Sequence, residues 1–369
     1  MRLLRMNEIV KVLPSYKKFN SYMDDIKNRI SPIMLSGLTD SGKTHFAYAT
    51  GFYSERPICI ITYNEMQAKK LISDLSYFSS EVAYFPRREI LAYDYIAEST
   101  DIRNQRISCL NKIHDKKAKV VVTTIEAVMQ KIILKKNLYK NLLSFKNGQT
   151  LNLTQVKEDL ISLGYERVEM VEGSAQFSIR GGIVDISLTE KKGVRLELWG
   201  DDIDSIRNFD IMTQRSTKKL EKIKIYPATE FILEDDLVNI TDKIEKIKGH
   251  DPEDVEMIRE GNYLSKVDKY FESFYEESCT LMDYLGEDYC LFIDEASKLK
   301  ARSENILKDT KNVIESLIEK KKIVLSSLEI LGDFDAFLEK IKDLQTNSPV
   351  SACIRVRWKT RASAPDGHS

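Results

Sequence analysis

Histidine and cysteine are scarce in this chain of 369 residues, and neither is clustered. Four histidines are too dispersed to form a metal site. The five cysteines (Cys59, Cys109, Cys279, Cys290, Cys353) are odd in number and contain no C-x-x-C pair. This composition argues against structural zinc or a disulfide framework and for a reducing compartment. No apolar run approaches the ~20 residues needed to span a bilayer, and Met1 to Glu8 lacks the apolar core of a signal peptide. The expectation is a soluble, cytoplasmic protein with no membrane partner. An excess of charge of one sign is missing as well: 56 Lys and Arg against 57 Asp and Glu leave a formal net charge of −1. No global basic field points to nucleic acid, so any such contact must be a local patch. Nor can a Ser–His–Asp arrangement be argued from these residues.

What is present begins at Gly37-Leu-Thr-Asp-Ser-Gly42-Lys43-Thr44, which satisfies the phosphate-loop pattern G-x-x-x-x-G-K-[ST] without mismatch. The glycines let backbone N–H groups face phosphate oxygens, the lysine reaches the terminal phosphates, and the threonine hydroxyl holds magnesium. Pro32 to Ser36 reads as a short buried strand before the loop and His45 to Thr50 as the helix after it. Cys290-Leu-Phe-Ile-Asp294-Glu295 has the form of a strand that delivers an aspartate to magnesium and a glutamate to the attacking water. ATP with Mg, held by Gly37, Gly42, Lys43, Thr44 and Asp294, is therefore the expected cofactor. Asp294 and Glu295 become catalytic only if ATP is hydrolysed. Turnover also needs charge stabilisation, usually an arginine from a second domain. No second α/β domain is visible in the chain. Arg103 and Arg106 share a helix and could contact phosphates, although an exposed helix face is the competing reading.

From Pro32 to about Leu134, short apolar runs alternate with amphipathic helices. Strands are expected at Ile58–Tyr63, Val82–Phe85 and Val120–Thr124. Helices follow, one capped by Asn64 with Met66, Leu71, Leu75 and Phe78 inward, one over Asp101–His114, and one over Ile125–Leu134 capped by Thr124. That alternation implies a parallel, doubly wound sheet. After Asn147-Gly148 the rhythm changes. A helix over Val156–Leu163 stops at Gly164, and short alternating strands follow at Arg167–Val171, Gln176–Arg180, Ile183–Ser187, Val194–Trp199 and Ile203–Phe209. In this antiparallel α+β module Arg180 faces away from Phe177 and Ile179, and its arginines and aromatics suit a protein interface. From Ile232 to about Leu285 the chain turns helical and charged, with Tyr263, Leu264, Tyr270, Phe271, Phe274 and Tyr275 as core candidates. Tyr289–Glu295 and Lys321–Ser326 then return to the parallel sheet. The stretch from Asn347 shows no cap or clear element. A flexible tail and a truncated or frame-shifted gene are both open readings of it.

Four stretches carry a family resemblance: Phe85 to Asp94, Gly164 to Gly173, Phe177 to Ile186, and Arg195 to Asp210, with Thr213 to Ser216 continuing the last. Over about residues 10–345 the chain resembles the UvrB-homologous, N-terminal region of the bacterial transcription-repair coupling factor, Mfd. The link from Arg87 to Asp101 is too short for the DNA-gripping hairpin of UvrB itself.

The resemblance implies a helicase-like α/β domain over residues 1–146, resumed at 286–346. A UvrA-interaction domain (147–231) and a helical subdomain (232–285) interrupt it, and 347–369 form an atypical tail. It implies a role in nucleotide excision repair, in which the chain recruits UvrA to stalled transcription. RNA polymerase and DNA would be engaged through C-terminal modules absent here. Carried over by position, the UvrA-contacting arginines are Arg167, Arg180 and Arg195. In this family the N-terminal nucleotide motifs are usually degenerate. Gly42, Lys43 and Thr44 are retained here, whereas Asp294-Glu-Ala-Ser297 lacks the closing residue of active helicases. A relic nucleotide site is the resulting expectation, and an ATP-dependent DNA helicase or translocase is the alternative.

Overall fold

The computed structural model describes residues 9–28, 30–88, 100–232, 237–247, 250, 252–259, 275, 277–319, 334–346 and 353–356. In chain order, β1 (Ile33–Leu35), β2 (Ile58–Thr62), β3 (Val82–Phe85) and β4 (Val120–Thr124) open the fold, and β5 (Ile132–Ile133) and β6 (Leu143–Lys146) lead out of it. A second group comprises β7 (Glu166–Arg167), β8 (Gln176–Arg180), β9 (Ile183–Ser187), β10 (Lys192–Trp199), β11 (Asp202–Asp210) and β12 (Ser216–Leu220). The chain returns through β13 (Lys222–Ile225), β14 (Ser278–Cys279), β15 (Cys290–Asp294) and β16 (Cys353–Val356).

The first sheet is wholly parallel, in the order β1-β16-β15-β2-β4-β3. Every residue of β2, β4 and β15 is buried. Continuous Ile and Val runs are what a strand covered on both faces requires, and each fully buried side chain of this kind contributes about 1.5–3 kcal/mol. The second sheet runs β12-β11-β10-β9-β8-β7 and is antiparallel except for the β7–β8 pair. β6 pairs with β13, so the chain leaves toward the second sheet and comes back along the same ribbon. One continuous core joins the two parts, with Val121, Leu110 and Ile125 in the same cluster as Phe177, Val184 and Leu196.

Local signals explain most boundaries. Asn64 caps the helix Glu65–Leu75 by accepting from the Gln67 amide at 2.8 Å, and Thr124 likewise accepts from the Ala127 amide. Gly164 ends the helix Leu153–Ser162 at φ 86°; a Cβ there would stand 2.4 Å from Thr229 Cγ2. Several expectations are corrected. Met66 is 78% exposed rather than inward. The helix after Thr124 stops at Met129, not Leu134, because Ile132 and Ile133 pair with β14. The strand expected over Arg167–Val171 is a ladder only at Glu166–Arg167, while Val171 packs on Phe209 and Ile211.

The helical zone contains Leu237–Glu245, Pro252–Arg259 and Leu281–Leu285, with Tyr275 buried and its hydroxyl on the Ile232 carbonyl at 2.7 Å. Tyr263, Leu264, Tyr270, Phe271, Phe274 and the strand expected at Lys321–Ser326 lie outside the described residues. Within the stretch expected to lack any element, β16 lies between β1 and β15. Among the described residues, no helix is long and apolar enough to cross a membrane.

Candidate functional site

Two groups of side chains stand out, one at the carboxyl end of β15 in the parallel sheet and one on the second sheet. At the first, the chain leaves β1, turns at Gly37 (φ 81°), and enters the helix Asp40–Ser54. The two sequence motifs, far apart in the chain, meet here. Lys43 Nζ lies 3.0 Å from Asp294 Oδ1 and 3.5 Å from Glu295 Oε1. Asp294 Oδ2 accepts from Thr62 Oγ1 at 2.9 Å and from Gln67 Nε2 at 3.5 Å. Lys43, Thr44 and Asp294 are all buried.

Residue types at this site suit a magnesium nucleotide: a lysine, a threonine hydroxyl, two carboxylates and a glycine turn. Local bonding is less open. The helix starts at Asp40, three residues before Lys43, with Thr39 as its cap. The Gly42 amide donates to Thr39 Oγ1 at 3.2 Å and the Lys43 amide to the Thr39 carbonyl at 2.9 Å. Thr44 Oγ1 donates to the Ser41 carbonyl at 3.0 Å. Groups that a phosphate would take are thus engaged within the first helical turn. The cavity between Lys43, Ala47, Phe292 and Asp294 measures only about 20 Å³, room for about one water. Thr39 signals this in the sequence, since a threonine two residues after a glycine turn is a ready N-cap. The parts played by Thr62 and Gln67 had no such signal.

On the second sheet, β8, β9, β10 and β11 lie side by side. Strand alternation turns Phe177, Val184 and Leu196 into the core and Arg180, Asp185, Arg195 and Arg207 to the opposite face. Asp185, fully buried there, is the centre of this face. Arg195 clasps it with two bonds, Nε to Oδ1 at 2.7 Å and Nη2 to Oδ2 at 2.9 Å, and Arg180 Nη2 reaches Oδ2 at 3.0 Å. Donating hydrogen bonds to Asp185, against the effect of burial, raises the Arg195 guanidinium pKa above its ordinary value. Arg195 also stacks on Phe209, 5.0 Å from the ring centre.

The three arginines singled out in the sequence therefore have different surroundings. Arg195 is 16% exposed and committed to Asp185, whereas Arg180 is 47% exposed. Arg167 is exposed in β7. Beside Arg180, the Gly181–Gly182 turn accepts from the Leu198 amide at 2.7 Å, which brings up Trp199, 85% exposed. Asp185 was missed because a lone acid in an alternating strand reads as an ordinary outward residue.

A further correction concerns Arg106. It occupies neither an exposed helix face nor a phosphate site, being fully buried. Its guanidinium meets Glu230 at 2.5 and 2.9 Å, the Pro86 carbonyl at 2.7 Å and Gln130 Oε1 at 3.0 Å, and it covers the Phe85 ring at 4.0 Å. Arg103, on the same helix, is half-buried.

Residues 143–231, which carry the second sheet, match the UvrB interaction domain family. The chain is 28% identical over 340 residues to the transcription-repair-coupling factor of Bacillus subtilis, covering 86% of this chain and 29% of that protein. It is 25% identical over 347 residues to the factor of Staphylococcus haemolyticus, covering 89% and 29%. A factor of Staphylococcus aureus is 25% identical over 326 residues, covering 83% and 28%. The chain spans under a third of the length of these curated relatives. The chain is thus similar to transcription-repair-coupling factors over most of its own length and to the UvrB interaction domain over residues 143–231.

Proposed function

We propose that this chain acts in transcription-coupled excision repair as a module that docks the repair protein UvrA, in the manner of the N-terminal part of a coupling factor. One observation carries the reading. Within the segment matching the UvrB interaction domain, a half-exposed Arg180 is held in place by a buried Asp185 beside an exposed Trp199. Arginine and tryptophan are the residue types that dominate interface energetics, and a guanidinium that is already oriented loses less entropy on meeting a carboxylate. Arg180 and Arg167 would meet acids of UvrA directly. Arg195 would act through Asp185, fixing the face rather than touching the partner. RNA polymerase and DNA would be engaged through other parts of the longer relatives. Titrating UvrA into the purified chain tests the proposal. Arg180→Ala should weaken binding by about 2 kcal/mol, the loss typical of an interface anchor, and unchanged affinity would remove the reading.

A second reading rests on the meeting of Lys43 with Asp294 and Glu295. In it a helicase-like α/β domain keeps a relic nucleotide site, closed by Thr39 and able to bind ATP only when that cap releases. The stronger version, an ATP-driven translocase, requires phosphate release that is lost in Lys43→Ala. No turnover with or without DNA would leave only the relic.

A further inference from the structure

A large cleft lies apart from both of these groups of residues. It measures about 740 Å³ and runs between the helix Thr100–His114 on one side and the β9–β10 turn with the end of β13 on the other. An Asn104–Ser174 hydrogen bond crosses between the two sides. None of Arg167, Arg180, Arg195 or Trp199 lines it.

Its charges are unbalanced. Lys112 and Lys117 stand on the helix side, Lys191 and Lys192 on the turn, and Lys224 on β13, and all five are exposed. Among the described residues, only Lys117 of these five is paired with a carboxylate, Asp115, which also takes the Tyr226 hydroxyl. Asp101, the second acid of the lining, is held by Gln105 at 2.8 Å, and Glu190 is the third. Five lysines against three acids leave the lining with a net charge of +2, in a chain whose net charge is −1. A concave site lined by one sign of charge focuses its field on ligands of the other sign.

The rest of the lining decides between anions. Apart from Tyr165 and Tyr226 its apolar part is aliphatic, including Ile107, Leu188, Ile223 and Ala228. Tyr165 is buried with its hydroxyl on the Tyr226 carbonyl at 3.0 Å, and the Tyr226 hydroxyl is held by Asp115. Single-stranded nucleic acid is gripped by exposed aromatic planes on which bases stack, and this cleft offers aliphatic groups instead. We propose that the cleft is a docking groove for an acidic peptide segment of a partner protein, with carboxylates on the lysine walls and aliphatic side chains on the floor. This is independent of the Arg180 face.

The test uses the whole chain and a fluorescent synthetic peptide in which Glu and Asp alternate with Leu and Ala. Controls are the same peptide with Gln and Asn in place of the acids, and an oligothymidylate of equal length. Expected results are saturable binding of the acidic peptide that weakens with salt, and a loss of about tenfold or more in Lys191→Glu/Lys192→Glu. Lys112→Glu, on the opposite wall, should also weaken it severalfold. Arg180→Ala should leave peptide affinity unchanged, so failure here is separable from failure of UvrA docking. Equal binding of the neutral peptide, indifference to the lysine reversals, or no saturable binding would overturn the proposal. Tighter, lysine-dependent binding of the oligothymidylate would overturn it in favour of a phosphodiester site.

Discussion

Lys43 and Asp294, 251 positions apart in the chain, form a buried ion pair of 3.0 Å at the carboxyl end of β15, an inner strand of the parallel sheet. The charge that the phosphate pattern would offer a nucleotide is already neutralised inside the protein. Lys43 should therefore matter for stability in the absence of any ligand. Lys43→Ala leaves Asp294 buried with, among the described residues, Thr62 and Gln67 as its side-chain donors, and breaking a buried pair costs about 3–5 kcal/mol. Urea unfolding without nucleotide should show a loss of that order. An unchanged midpoint would mean that the buried pair adds nothing to stability.

Thr39 leads to a second expectation. Thr39→Ala removes the acceptor for the Gly42 amide and should cost about 1 kcal/mol of stability, as lost N-caps do. If the cap keeps the loop closed, the same substitution should tighten binding of a fluorescent ATP analogue. Weaker or equal binding in Thr39→Ala would show that the loop is not held shut by this bond.

Asp185 separates two arginines that the sequence could not tell apart. Arg195→Ala removes two of its three charge-assisted bonds and leaves a fully buried carboxylate with Arg180 alone. The expected loss is about 3 kcal/mol, with UvrA affinity falling as a consequence of the disturbed face. Arg180→Ala leaves Asp185 on Arg195, so stability should change by less than about 1 kcal/mol while affinity drops directly. Unfolding midpoints and UvrA titrations on both variants distinguish the cases; equal destabilisation would refute the division of roles.

Much of this was legible from pattern alone. The buried strands at Ile58, Val120 and Cys290, the caps Asn64 and Thr124, and the stop at Gly164 each have a local cause that acts within a few residues. What was not legible depends on contacts distant in sequence. Arg106 reads as one more charge on a helix, and only the arrival of Glu230, 124 positions later, makes it a core residue. Asp185 gains its meaning from strands on both sides, and the outward turn of Met66 is set by what the helix packs on. Periodicity identifies a face but not its partner.

The Arg106–Glu230 pair should make stability sensitive to acid. Burial pushes the Glu230 carboxyl pKa up, but the Arg106 charge and hydrogen bonds, with help from Arg88, outweigh it and hold the group below its ordinary 4.5. A carboxyl whose pKa is lower in the folded than in the unfolded chain contributes its stabilisation above the unfolded value. That contribution is lost as pH falls through the folded value. Glu230→Gln should therefore cost about 3 kcal/mol at neutral pH, and the gap to the parent should narrow as pH drops below 4.5. A gap that is constant with pH would show that the pair's charge is irrelevant.

Gly193 tests whether the outer face of the second sheet is packed as described. A Cβ at this position would lie 2.3 Å from Phe209 Cε1, 2.5 Å from its Cζ and 2.9 Å from the Ile186 carbonyl oxygen. The ring has little room to yield, because it packs on Val171 and Ile211 and lies under the Arg195 guanidinium. Gly193→Ala should therefore destabilise the protein by about 1–3 kcal/mol, the usual cost of overpacking, and should lower UvrA affinity through displacement of Arg195. Phe209→Leu is destabilising by itself but vacates the space the new methyl needs. The double variant should then be more stable than the sum of the two single losses predicts, with a coupling above the ~0.5 kcal/mol expected of independent sites. Simple additivity in that cycle would mean that the ring does not fill the space over Gly193, and that Arg195 is held by its hydrogen bonds to Asp185 and the Gln214 carbonyl without help from the ring.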